Sequence, residues 1–199
     1  MKSSILRASA VSLACALVLS ACGGGGGDLT LGGAVQNVTK DGLVLQNNGG
    51  DDTAVVYPYT SFQFSNRVST DDQFNITVKP GAIPSNASEC HVNNGKARAN
   101  YYSIYQISVA CTLKQHALIV TVNNSTNVGF TIVNGADKQD VKPDATSVTM
   151  SPVNEGAPYG ITVLNPPAGH TCTVSGGSTG NGSGTMGPVD DKTVTVSCK

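Results

Sequence analysis

The sequence predicts an all-β protein built as two tandem modules, and three observations carry that prediction. Tryptophan is absent, charged residues make up only 13 % of the 199, and glycine is frequent beside threonine, serine, asparagine and valine. That composition suits strands and tight turns better than helices. Apolar residues alternate with polar ones over short runs, the period of half-buried strands. Four short segments also recur in the same order at nearly constant offset, the mark of an internal repeat.

Residues 1–21 stand apart from this pattern. Lys2 and Arg7 give a positive start, and Ala8 to Leu19 form an apolar run interrupted only by Ser9 and Ser12. The run falls short of the ~20 apolar residues that a helix needs to cross a bilayer, and it has the plan of a signal peptide. It ends in Leu19-Ser20-Ala21-Cys22, followed by five glycines. These four residues resemble the lipobox of bacterial lipoproteins. The resemblance implies cleavage before Cys22 and acylation of its thiol, with palmitate among the acyl chains. Two or more chains anchor a protein stably where one holds it only marginally. Gly23 stands where an aspartate would favour retention in the inner membrane, so the resemblance implies an outer-membrane lipoprotein. Residues 22–28 are then the acylated cysteine and a glycine-rich tether.

The first module spans 29–113 and the second 114–199. Gly42-Leu43-Val44-Leu45-Gln46-Asn47 matches Gly129-Phe130-Thr131-Ile132-Val133-Asn134, and Phe74-Asn75-Ile76-Thr77-Val78 matches Tyr159-Gly160-Ile161-Thr162-Val163. Cys90-His91-Val92 matches Cys172-Thr173-Val174, and Ile107-Ser108-Val109-Ala110-Cys111 matches Val194-Thr195-Val196-Ser197-Cys198. Period two places Leu43 with Leu45, Phe62 with Phe64, Phe74 with Ile76 and Val78, and Tyr105 with Ile107 and Val109 on inward faces. The second module repeats it at Leu118, Val120 and Val122, at Phe130 and Ile132, at Val148 and Met150, at Tyr159, Ile161 and Val163, and at Val194 and Val196. Several such strands per module predict β-sandwiches, immunoglobulin-like in plan.

Without residues 1–21, ten of the twelve lysines and arginines remain against thirteen acidic residues. That balance lacks the basic face that nucleic acid would require. Cys15 leaves with the leader and Cys22 is spoken for, so four cysteines remain in an oxidising compartment, where disulfides persist. Four cysteines allow three connectivities. The repeat selects Cys90 with Cys111 and Cys172 with Cys198. Zinc is the rival use of these thiols, but no C-x-x-C pair is present.

Leu43 to Asp52, Phe74 to Val78, Cys172 to Val174 and Val194 to Cys198 together resemble a β-rich repeat of proteobacterial surface lipoproteins. The resemblance implies a spacer, adhesive or display role, with the membrane as partner through the lipid anchor; the alternative is a periplasm-facing accessory that binds a protein partner or an envelope polysaccharide. It carries over no catalytic residue and no cofactor.

The first module departs from the repeat at Lys96 to Tyr105, where a Gly/Ser-rich hairpin is expected and two cations and three tyrosines stand instead. Tyrosine and arginine are favoured contact residues, which makes Lys96, Arg98, Tyr101 and Tyr102 the candidate binding residues; the rival reading has Tyr101 and Tyr102 covering a sandwich edge, with Lys96 and Arg98 as edge protection. Tyr105, in phase with Ile107, is expected in the core. The counterpart, Gly176 to Gly187, is nearly all small and polar residues and is expected to be mobile. Elsewhere no nucleophile elbow, zinc-protease motif or phosphate loop occurs, so no enzyme is expected. His91, His116 and His170 read as polar residues at strand ends. The pairs Asp51-Asp52, Asp71-Asp72 and Asp190-Asp191 lack calcium-loop spacing and read as solvated turns. The stretch from Leu113 to Ala117 carries no glycine or proline, so a short, stiff junction is expected.

Overall fold

A computed structural model describes residues 28–199, so the leader, Cys22 and the glycine tether lie outside the described residues. The first set of strands is β1 (Leu29–Gln36), β2 (Val44–Asn47), β3 (Asp51–Ala54), β4 (Ser61–Val68), β5 (Gln73–Val78), β6 (Ala87–Asn93), β7 (Lys96–Arg98) and β8 (Ser108–Leu113). They form two four-stranded sheets, in the orders β4-β1-β8-β6 and β3-β2-β5-β7. After β9 (Gln115–His116) the second set follows: β10 (Ile119–Asn124), β11 (Phe130–Asn134), β12 (Asp137–Val141), β13 (Ser147–Thr149), β14 (Val153–Asn154), β15 (Pro158–Asn165), β16 (Cys172–Ser175), β17 (Ser183–Thr185) and β18 (Thr195–Cys198). Their sheets run β13-β10-β18-β16 and β12-β11-β15-β17, the same plan strand for strand. In each set the first long strand pairs parallel to the last, β1 with β8 and β10 with β18.

The fold is all-β, and the reason is visible residue by residue. On β4, Phe62 and Phe64 are buried while Ser61, Gln63 and Ser65 face water, and on β5 Phe74 and Ile76 alternate with Gln73 and Asn75 in the same way. Period-two side chains on two facing sheets leave one apolar layer between them. One core gathers Leu31, Leu43, Leu45, Phe64, Phe74 and Val109; a separate one gathers Leu118, Ile132, Met150, Tyr159, Ile161 and Val196.

The disulfides join Cys90 to Cys111 and Cys172 to Cys198. Each pair sits directly opposite on neighbouring antiparallel strands of one sheet. In the immunoglobulin plan the bridge instead crosses the core between sheets.

Three stretches differ from what periodicity predicts. Tyr105 is not in the core: a 3-10 turn over Ser103–Tyr105 interrupts the strand, β8 begins only at Ser108, and the ring is left exposed while Ile107 and Val109 stay buried. The stretch from Lys96 is also not a hairpin, because β7 pairs with β5 in one sheet while β8 pairs with β1 and β6 in the other. Last, Gly176 to Gly187 holds a hydrogen-bonded turn that leads into β17, which pairs with β15. The Gly182 amide donates to the Gly176 carbonyl at 2.8 Å, and the Thr179 hydroxyl donates to the Ser183 carbonyl at 2.8 Å. Glycine is required at 176, where φ is +81° and a Cβ would lie 1.9 Å from the Thr193 carbonyl oxygen.

The junction is pinned from both sides. The Lys114 amide donates to the Asn86 carbonyl at 2.9 Å, the Glu155 amide donates to the Lys114 carbonyl at 2.8 Å, and β9 pairs with β14.

Candidate functional site

The crossover from β7 to β8 must change sheets in nine residues, and its side chains hydrogen-bond to their own backbone in doing so. The Asn100 carboxamide oxygen accepts the amides of Tyr102 at 2.9 Å and Ser103 at 3.0 Å, a local turn of the kind asparagine favours. The Ser103 hydroxyl donates to the Arg98 carbonyl at 2.8 Å. Ile104 is buried and fixes the turn to the first core.

Held this way, three tyrosines project outward. Tyr101 is 68 % exposed, Tyr102 79 % and Tyr105 71 %. Their rings meet edge to face: Tyr101 and Tyr105 have centroids 5.1 Å apart, Tyr101 and Tyr102 6.4 Å apart. That geometry is favourable for aromatic pairs and explains how a surface cluster keeps its shape. The neighbouring Tyr101 hydroxyl pushes the Tyr105 hydroxyl above its ordinary pKa. Exposed aromatics on a turn with a fixed backbone are suited to contact, because little side-chain entropy is lost on binding.

Beside the cluster runs a groove of about 660 Å³, extending from Asp28 and Leu29 at the start of β1 to Ala34 and walled by Tyr101 and Tyr105. Gly32 and Gly33 let neighbouring backbone close against this strand. A Cβ at Gly33 would stand 2.3 Å from the Ile107 carbonyl oxygen, so the strand passes under the crossover only because no side chain is there.

Of the four residues singled out from sequence, Tyr101 and Tyr102 fall in this cluster. Lys96 and Arg98 line a different, smaller cavity of about 270 Å³ with Gln73, Phe74 and Asn75. The Arg98 guanidinium donates to the Asp71 carbonyl at 3.2 Å. Sequence reasoning missed Tyr105, and the only available signal was Asn100-x-x-Ser103, which marks a turn where the alternation implies a strand.

At least one aspartate of each pair has a partner, while a carboxylate oxygen of Asp51, on β3, is buried without one. Asp72 accepts the Ser69 amide, Asp52 pairs with Lys79, and Asp190 accepts the Ala117 amide. Asp191 accepts the hydroxyls of Tyr159 and Thr193. Burial opposes charge on Asp191, yet these donors hold it below the usual carboxylate range, and Tyr159, desolvated beside it, is pushed up. Among the described residues no group of three His, Cys, Asp or Glu side chains is placed to hold a metal ion.

A second feature had no sequence signal. Glu155 is 5 % exposed at the junction, with the Lys40 ammonium 2.9 Å from one carboxylate oxygen and His116 Nε2 3.7 Å from the other. Lys40, above all, holds this carboxyl below the usual range, against the effect of its burial; His116 adds to it. His116 is thus part of a junction cluster. His91 faces Glu89 on the exposed surface, with 3.1 Å between Nε2 and the carboxylate.

Compared with known proteins, the chain matches no protein-family model and no curated protein sequence.

Proposed function

We propose that this chain is a lipid-anchored, non-enzymatic protein of the bacterial envelope, held at the outer membrane through Cys22 and acting by contact, in adhesion, display or interaction with another envelope component. The observation that carries the contact role is the fixed triad Tyr101, Tyr102 and Tyr105. A stable monomeric fold gains nothing from three rings standing about 70 % in water, whereas a binding surface does. The anchor rests on Leu19-Ser20-Ala21-Cys22 and the short apolar run before it. No helix among the described residues is long and apolar enough to cross a membrane. Acyl chains on Cys22 supply attachment by a different route.

The test expresses the full chain and its Cys22→Ser variant in a lipoprotein-processing bacterium fed with a labelled fatty acid. The wild-type chain takes up label and sediments with membranes, and the variant does neither. Label on the variant would overturn the assignment of Cys22.

A further inference from the structure

We propose that the surface met by the tyrosine triad is the bilayer itself: Tyr101, Tyr102 and Tyr105 sit at the headgroup level of the membrane that holds Cys22. This deepens the contact role proposed above and rests on Cys22 as the point of attachment.

The triad's groove begins at Asp28 and Leu29, the very start of the described chain. Leu29 pairs with Val68, the Asp71 amide donates to the Ala99 carbonyl, and Arg67 donates to the Asp28 carbonyl. The strand start, the turn after β4 and the onset of the tyrosine crossover therefore share one end of the first sandwich. The second sandwich joins at the other end, through Lys40 to Glu155 and Lys114 to Asn86. Five glycines, and so six chain steps, separate Cys22 from Asp28. Fully extended they reach about 20 Å, and a glycine chain of that length averages about 13 Å between its ends. Anchoring at Cys22 thus holds the tyrosine end, and not the second module, against the bilayer surface.

Chemistry agrees with position. Tyrosine is enriched at membrane interfaces because its ring is apolar and its hydroxyl polar. The three hydroxyls keep hydrogen-bonding water and headgroups while the rings leave bulk water. Arg67 and Arg98 stand at this end against Asp28, Asp71 and Asp72, so attraction to anionic lipid is not what drives the contact. A polysaccharide fits less well. The rings cross at 64° and 88°, which leaves no coplanar platform for successive sugars.

The chain from Cys22 onward, which contains every described residue, is coupled through its Cys22 thiol to a maleimide lipid in zwitterionic vesicles. The other four cysteines are held in disulfides. This coupling makes the test independent of whether cells acylate Cys22, which the labelling experiment above decides separately. With no tryptophan present, tyrosine emission is read directly, and three of the six tyrosines belong to the triad. Lipids brominated near the headgroup are expected to quench about half of that emission, given interfacial tyrosines. The quenching persists in high salt. It disappears in Tyr101→Ser/Tyr102→Ser/Tyr105→Ser, and it remains in Tyr57→Ser/Tyr59→Ser, a separate ring pair whose Tyr59 hydroxyl donates to Asp41, next to Lys40. Unquenched emission from the wild-type coupled protein overturns the proposal. So does quenching that survives the triple substitution. Relief of quenching by envelope polysaccharide fragments would also overturn it, assigning the triad to a glycan.

Discussion

Replacing Lys40 with methionine removes the ammonium 2.9 Å from Glu155 Oε1 while keeping a side chain of similar length. The carboxylate stays behind with a side chain only 6 % exposed, facing His116 at 3.7 Å. Removing one partner from a fully buried pair costs about 3–5 kcal/mol. Lys40 is itself 46 % exposed, so solvent already screens part of the attraction. We therefore expect a loss of about 2–3 kcal/mol for Lys40→Met. The reverse deletion, Glu155→Gln, leaves an ammonium that water can rehydrate and an amide of nearly the same shape, and is expected to cost about 1 kcal/mol. For a chain of this length each kcal/mol lowers Tm by about 2–4 °C, so thermal and urea unfolding followed by circular dichroism resolve the difference. The pH dependence supplies a second check. Glu155 has a folded pKa below its unfolded value of about 4.3. Its contribution is therefore complete above that value and is lost as pH falls through the folded pKa. The gap between wild type and Lys40→Met should be full at pH 7 and shrink toward pH 3. Equal costs for the two variants, or a gap unchanged across that range, would refute the view that an unpaired buried carboxylate sets the penalty.

Two further outcomes test the fold. The bridges close loops with sequence separations of 21 and 26, and chain entropy assigns each about 3–3.5 kcal/mol. Cys172→Ser/Cys198→Ser should accordingly lower the urea midpoint as much as reduction of that bridge does, and an unchanged midpoint would show the bridge to be idle. Gly176 and Gly180 have the same backbone sign, with φ +81° and +82°, but a Cβ at 176 would strike the Thr193 carbonyl while one at 180 meets nothing within 4 Å. Gly180→Ala should cost about 1–2 kcal/mol from the left-handed backbone alone, and Gly176→Ala clearly more; equal losses in the same unfolding assay would dismiss the steric account.

Alternation made most of the fold legible, because burying one face of a strand constrains every second residue regardless of what packs on it. Phe62 and Phe64, Phe74 and Ile76, and Leu118, Val120 and Val122 are all buried as their period requires. The repeat made the disulfide partners legible for the same reason: Cys111 and Cys198 continue the inward phase of their strands. The tyrosine stretch was legible as chemistry but not as shape. Its tyrosines and cations stand out in the sequence, while the exposure of Tyr105 depends on a 3-10 turn that follows from Asn100 and Ser103 capturing nearby backbone groups. Local hydrogen bonding there overrides alternation.

The sequence by itself determined the strand pattern, the two-fold repeat and the pairing of four cysteines, since each depends on order along one chain. Only the tertiary structure decided that Lys96 and Arg98 part company from the tyrosines, that the tyrosine end is where the chain enters the first sandwich, and that Glu155 meets Lys40 from 115 residues away. Those facts depend on which sheet each strand joins and on how two sandwiches abut. Sheet pairing between distant segments leaves no periodic trace in the sequence that either segment carries alone.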